Sequence, residues 1–402
     1  MNEWEMIIRT PGGEYLTVRQ LILKMRMLAI RALGRMFRPE ENLFAFRIIR
    51  TGKGDVLEGL SRRYTAIALM GLLEESEDVI RQVLHGRSIT TICHRLVDGV
   101  HESQDLGEVS LILWLARRVS HYNVDKIFDH LNILDPLGRD YSTVELSWLL
   151  TGLSVRCNEK TDTEAAGLVA RKLLQSFNEK SGMFPHRPGW RHTKNYRSHV
   201  TCFADLVYPI QALSYYYLLT GDSEALDAAS RCAERICFLQ GRSGQWWWHY
   251  DYRTGKVIEG YPVYAVHQDA MAPMALLAIQ DAGGMDYSRW IDRGISWLVN
   301  PPETGVSLID PQADLIWRKV CRHEPNRLSR GLQAAVSRFH ASWRMPGIDW
   351  LFRPEQIDYE SRPYHMGWIL CAWPADRVDA MERSIYAHAD DETQAEMILS
   401  IP

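Results

Sequence analysis

The chain has 402 residues, with 46 basic against 50 acidic side chains, a formal charge of −4, 46% hydrophobic residues and 14 tryptophans. That length supports a large core without disulfides or metals, and the near-neutral charge excludes the strongly basic stripe of a nucleic-acid binder. No apolar run reaches the roughly 18–20 residues of a membrane span, the first residues lack a signal-peptide pattern, and the scattered cysteines fit reduced thiols, so a cytoplasmic chain is expected.

Residues 1–50 read as an N-terminal helical cap. Within it, 18–37 mixes apolar positions with Arg19, Lys24, Arg26, Arg31 and Arg35. A capping helix with a solvated basic face is favoured there over peripheral contact with an anionic membrane. Residues 51–402 read as one domain, because no linker rich in Gly, Ser or Pro interrupts them. Periodicity near 3.6 predicts helices over 63–73, 108–119, 143–155, 164–177, 203–219, 224–239, 269–281 and 287–299. Strand-like alternation is scarce. Helices apolar nearly all round, such as 64–73 and 207–219, alternate with amphipathic ones such as 223–236. A helix apolar on every side belongs inside, and an amphipathic one can face water. The expected fold is all-α, an (α/α)6 toroid in which about six helical hairpins form an inner ring wrapped by an outer ring.

A repeat supports the hairpins. Asp205 and Asp269 each precede a proline by four residues, Pro209 and Pro273, and each opens an apolar helix. Between them, Gln240-Gly-Arg-Ser-Gly-Gln-Trp246 fits Q-x3-G-x-W, and Asn178-Glu-Lys-Ser-Gly-Met-Phe184 is a degenerate copy. These turns resemble the QW motif of the terpenoid cyclase and protein prenyltransferase toroids, over about residues 160–300. The resemblance implies a glutamine that caps helix ends and a tryptophan stacked on a neighbouring repeat. Class II cyclases carry D-x-D-D with the middle Asp as proton donor, and His267-Gln-Asp269-Ala keeps only that middle position. The zinc-binding Asp, Cys and His pattern of prenyltransferases has no counterpart. Single-ring chains of this length also resemble the six-hairpin glycosidases, sugar epimerases and polysaccharide lyases.

In such a ring the inner helices start at one mouth, where their N-termini favour anions. The candidates there are Glu58, Arg62, Arg63 and Tyr64; Asp105 and Glu108; Asp140, Tyr141 and Glu145; Asp205 and Tyr208; His267 and Asp269; Tyr364 and His365. Each Asp is also a good N-cap, which is the commoner role for any one of them. The loop before Asp269 carries Trp246, Trp247, Trp248, Tyr250, Tyr261 and Tyr264, too many rings for a solvated connection. Aromatic faces stack on sugars and stabilise carbocations. A second, basic loop over 185–199, including Arg197 and His199, could hold a uronate, phosphate or diphosphate.

A glycan or glycoconjugate enzyme is the first reading. As a glycoside hydrolase it would use Asp269 as acid, Asp205 or Glu259 as partner and His267 to tune the acid, with two carboxylates within about 10 Å. As a uronate lyase or epimerase it would use a Tyr or His base, with Arg neutralising the acid. A terpenoid or isoprenoid cyclase, protonating an alkene with Asp269 in a closed apolar pocket, is the alternative. A non-catalytic toroid scaffold with a plugged centre is the third. No cofactor is expected, and Cys321-Arg-His323 and Cys93-His94 are too weak for a structural zinc, so no metal is expected either.

Overall fold

In a computed structural model, which describes residues 6–381 apart from 11, 120–122, 157–159, 190–196, 324–325, 341–342, 344 and 346, the chain alternates between outer and inner helices. It runs from outer α1 (Val18–Met36) to inner α2 (Arg62–Leu72), then through the short α3 (Glu77–Val83) to outer α4 (Ile89–Asp98) and inner α5 (Leu106–Arg118). Outer α6 (Asp125–Leu134) and inner α7 (Thr143–Ser154) follow, then outer α8 (Lys160–Ser176) and inner α9 (Ala204–Thr220). Outer α10 (Ser223–Phe238), inner α11 (Ala272–Asp281) and outer α12 (Ser288–Val299) come next. An insertion bearing α13 (Asn326–Phe339) and α14 (Ile348–Leu351) leads to inner α15 (Pro363–Ala372).

The inner helices close a ring. α2 packs on α5, α5 on α7, α7 on α9 and α9 on α11, and α15 joins α11 to α2. This is an (α/α)6 toroid, and its inner members are the segments whose sequence is apolar nearly all round. α7 is buried from Leu146 to Ser154, while α10 buries only one side, through Ala225, Ala229, Cys232 and Ile236. Closure at α2 and α15 depends on two glycines. A Cβ on Gly71 would lie 2.5 Å from the Gly367 carbonyl, and one on Gly367 would lie 2.6 Å from that of Ile67.

α1, expected as a separate cap, packs on α15 and so stands among the outer helices of the ring. Thr17 and Gln20 form its capping box, and its apolar residues Leu21, Ile22, Met25, Leu28, Ala29 and Leu33 are buried. Its cations find partners within the chain: Lys24 with Glu14, Arg26 with Glu75, Arg31 with Asp314 and Arg35 with Asp55. The apolar stripe over 18–37 is therefore packed inward rather than presented to lipid. No described helix is long and apolar enough to cross a membrane.

Short antiparallel strands, not expected from the sequence, gather where the inner helices begin. Leu43–Thr51 pairs with Gly54–Ser61 and with Glu360–Ser361. His249–Asp251 pairs with Val200–Cys202 and Lys256–Glu259, and Lys319–Cys321 with Val263–Tyr264 and Gln356–Asp358.

Candidate active site

The first turns of the inner helices enclose a cavity of about 200 Å³ on the ring axis. Its lining follows helical spacing: Tyr64 and Ile67 from α2, Val144 and Trp148 from α7, Ala204 and Tyr208 from α9, Tyr364 and Trp368 from α15. Residues three or four apart share one helix face, so each helix contributes a pair. A five-residue π-helical turn, His267–Met271, precedes α11 and contributes its two end residues. Arg63, Trp248, Tyr264, Val266 and Arg318 complete the wall.

The rings form a connected surface. Tyr64 stacks on Phe46 (5.3 Å, 17°) and meets Tyr364 at 4.8 Å, while Trp148 meets Tyr208 edge-on at 5.0 Å. Opposite them, His267 stacks on Trp248 (5.5 Å, 15°) and touches Tyr264 (5.1 Å). Burial pushes the His267 imidazole down to about 3, so it is neutral near pH 7. Burial raises the phenols of Tyr208 and Tyr364, which hold their protons. Arg362 donates to the Tyr64 oxygen at 2.8 Å, leaving the Tyr64 proton directed elsewhere.

Two arginines supply the charge. Arg63 lies over Trp148 (5.2 Å) and donates to both oxygens of Asp105 (2.5 and 2.7 Å). Arg318 lies over Tyr264 (5.3 Å) and pairs with Glu360 at 3.2 Å. Burial pushes Glu360 up, but Arg318, Arg362 and Arg47 outweigh it and hold the carboxyl below its ordinary range. Among the described residues, no Asp or Glu lines the cavity itself. Several buried N–H groups around it have no partner among the described residues: Arg63 Nε, Arg318 Nε, Trp148 Nε1 and Trp248 Nε1.

The expected acids sit elsewhere. Asp269 is fully buried, binds His365 Nε2 through both oxygens (2.8 and 2.9 Å), and is raised by burial, with His365 opposing. Its carbonyl, which Pro273 cannot serve because proline has no N–H, accepts from the Trp373 indole at 2.7 Å. Asp269 is two residues from His267, close to half a turn away along the π-helical segment, so it faces the ring wall when His267 faces the axis. Asp205 is also fully buried and accepts from the Cys202 amide (2.8 Å) and contacts His186 Nδ1 (3.0 Å). Glu259 pairs with Arg322 at 2.9 Å beneath the loop. None of these three lines the cavity, and among the described residues neither the paired carboxylates nor the single cavity acid is assembled there.

The aromatic loop divides likewise. Trp246 is buried, with its amide donating to Gln268 (3.1 Å), and Trp247 caps the end of α10 by donating to the Leu239 carbonyl (3.0 Å). Gln240 donates to Trp290 of α12 (2.8 Å) and to Gly244 (3.1 Å), so the Gln240–Trp246 turn ties adjacent hairpins together. Tyr250 is buried in its strand, and Tyr261 donates to Glu303 (2.8 Å). His365 serves Asp269, His199 meets Ser337 at 2.9 Å, and Arg197 stands near His249. Residues 190–196 of the basic loop lie outside the described residues. From the substrate-binding set, Trp248, Tyr264, Arg63, Tyr64, Tyr208 and Tyr364 do line the cavity. The reading missed Trp148, Trp368 and Arg318. The i+4 spacing from Val144 and Tyr364 signalled the first two, whereas Arg318 arrives through strand pairing that no local pattern announces.

No protein-family model and no curated protein matches the chain. Solved structures share its fold across nearly their whole length. An unsaturated glucuronyl hydrolase specific for heparin superposes with a TM-score of 0.56 at 12% identity, over 90% of this chain and 98% of that one. The unsaturated glucuronyl hydrolase from Bacillus sp. GL1, responsible for glycosaminoglycan degradation, gives 0.55 at 14% identity over 88% and 95%. A possible GH105 family member from Klebsiella pneumoniae gives 0.54 at 11% identity over 93% and 97%. At such identities the likeness is one of fold.

Proposed function

We propose that this toroid is a carbohydrate-active enzyme that takes a uronate residue of a glycan into the axial cavity. The observation that carries the reading is a cavity wall of arginines, indole rings and tyrosines with no carboxylate among its described residues. Two-carboxylate glycoside hydrolysis needs an acid and a second carboxylate beside the bond, and this wall offers neither. It suits removal of the proton next to a sugar carboxylate. Arg63 and Arg318 bind the carboxylate and take up the charge that develops on its oxygens. Tyr64, once its own proton has passed to solvent and its oxygen is held by Arg362, accepts the C5 proton. The electron pair returns to form a C4–C5 double bond as Tyr364 gives its proton to the departing O4, the lyase outcome. Alternatively, the carbon is reprotonated from its other face, the epimerase outcome. Neighbouring toroids whose names specify unsaturated glucuronyl groups support an acidic sugar by analogy only.

The test is incubation with uronate-containing and neutral oligosaccharides in deuterated water. New ultraviolet absorbance from an unsaturated product, or deuterium at C5, is expected with the uronates alone. Hydrolysis of neutral glycans without either signal would overturn the reading.

A further inference from the structure

One cluster of metal-ligating groups lies in the ring wall beside the cavity, outside the set just assigned. We propose that His186, Cys202 and Asp205 bind a single divalent transition-metal ion, zinc by the character of the donors, with one coordination position open. The His186 nitrogen, Cys202 sulfur and Asp205 oxygen lie within 4.8 Å of one another. Nδ1 of His186 is 3.1 and 3.0 Å from the two Asp205 oxygens. Tetrahedral zinc, at about 2.0–2.1 Å from nitrogen or oxygen and about 2.3 Å from sulfur, separates such donors by roughly 3.3–3.6 Å. The donors lie up to 4.8 Å apart, so binding would draw the widest pair together by roughly an ångström.

Each ligand sits on pinned backbone. The His186 carbonyl accepts from the Thr143 amide at the start of α7 (2.9 Å). Cys202 ends a strand in register with His249, and Asp205 lies in the first turn of α9. The Cys202 amide (2.8 Å) and the Thr201 hydroxyl (3.3 Å) both donate to Asp205 Oδ2, an arrangement that orients a ligating carboxylate and leaves Oδ1 to the ion. His186 is only partly buried, which gives an ion a way in, while Asp205 is fully buried. Without metal, burial holds the Cys202 thiol protonated. On binding, the ion takes the proton's place on sulfur and the proton leaves to buffer. Two donors near each other in sequence and a third on a separate loop give no recognisable ligand spacing, so the sequence contains no sign of this site. The proposal rests on the wall geometry alone and stands or falls separately from the uronate reading.

The experiment is Co²⁺ titration of the chelator-stripped full chain. One equivalent should bind with a thiolate-to-cobalt charge-transfer band, and equimolar Zn²⁺ should displace it. Cys202→Ser should abolish the band, and His186→Gln should weaken binding by more than the about 10–100-fold that loss of an outer partner costs. Cys237→Ser, a buried thiol elsewhere, should leave both unchanged. Substoichiometric binding by the unmodified chain overturns the site whether or not the variants fold. So does a band that persists in Cys202→Ser.

Discussion

The two halves of the ring's mouth use their first helical turns in opposite ways. Where α9 and α11 begin, Asp205 and Asp269 turn into the wall and bind partners there. Where α2 and α15 begin, Tyr64 and Tyr364 turn to the axis, and Arg362 supports Tyr64 from behind. The acids of the more eye-catching half therefore build the ring, while Tyr208 and His267 of that half face the guest together with Tyr64 and Tyr364. An acid at the start of an inner helix is a structural residue unless its phase around the helix points it at the cavity.

The largest expected effect breaks that contrast if it is wrong. Asp269→Ala should cost about 3–5 kcal/mol of stability in chemical denaturation, because it strips a partner from a buried, hydrogen-bonded pair. A fully stable variant that loses only turnover would return Asp269 to catalysis. Next, Tyr64→Phe should lower turnover by about 100-fold or more while leaving affinity nearly unchanged, the usual consequence of removing a proton-transfer group. An equal loss in both would make Tyr64 a binding residue only.

Much of the ring was legible because an inner helix must be apolar on all sides, and the segments 143–155 and 203–219 show it. The position of α1 was not. Its basic residues resemble a solvated or lipid-facing stripe, and their partners Glu75 and Asp314 are far away in sequence. Part of the site could also have been read. His267 and Met271 share a face, which already excludes Asp269 from it by the 3.6-residue period. Arg318 could not, since it reaches the cavity only because Lys319 and Val320 pair with Tyr264 and Val263. The two- and three-residue strands were missed because they are too brief to show alternation, and the longer pair Leu43–Thr51 and Gly54–Ser61 because its burial does not alternate.

Arg63→Gln and Arg318→Gln should each weaken uronate binding by about 10–100-fold, the range for one hydrogen bond to a charged group. Neutral sugars should be affected far less, and equal losses for both would remove the charge argument. The smallest effect concerns Glu360, which braces Arg318 and Arg362. Its folded carboxyl titrates below the ordinary value, so its contribution to stability is present above about pH 4.3 and is lost as pH falls through the folded value. The stability gap between the unmodified chain and Glu360→Gln should close on that acid side in pH-dependent denaturation. A gap that instead widens with acid would reverse the assignment.

The contrast between the two halves rests most directly on what the cavity holds. Calorimetric titration with two matched oligosaccharides, one ending in a uronate and one in the corresponding neutral hexose, measures that. The account predicts saturable binding of the uronate, at least about tenfold tighter than the neutral sugar and abolished in the Arg63→Gln, Arg318→Gln double variant. Equal affinity for the two sugars, or uronate binding that survives the double variant, would contradict it.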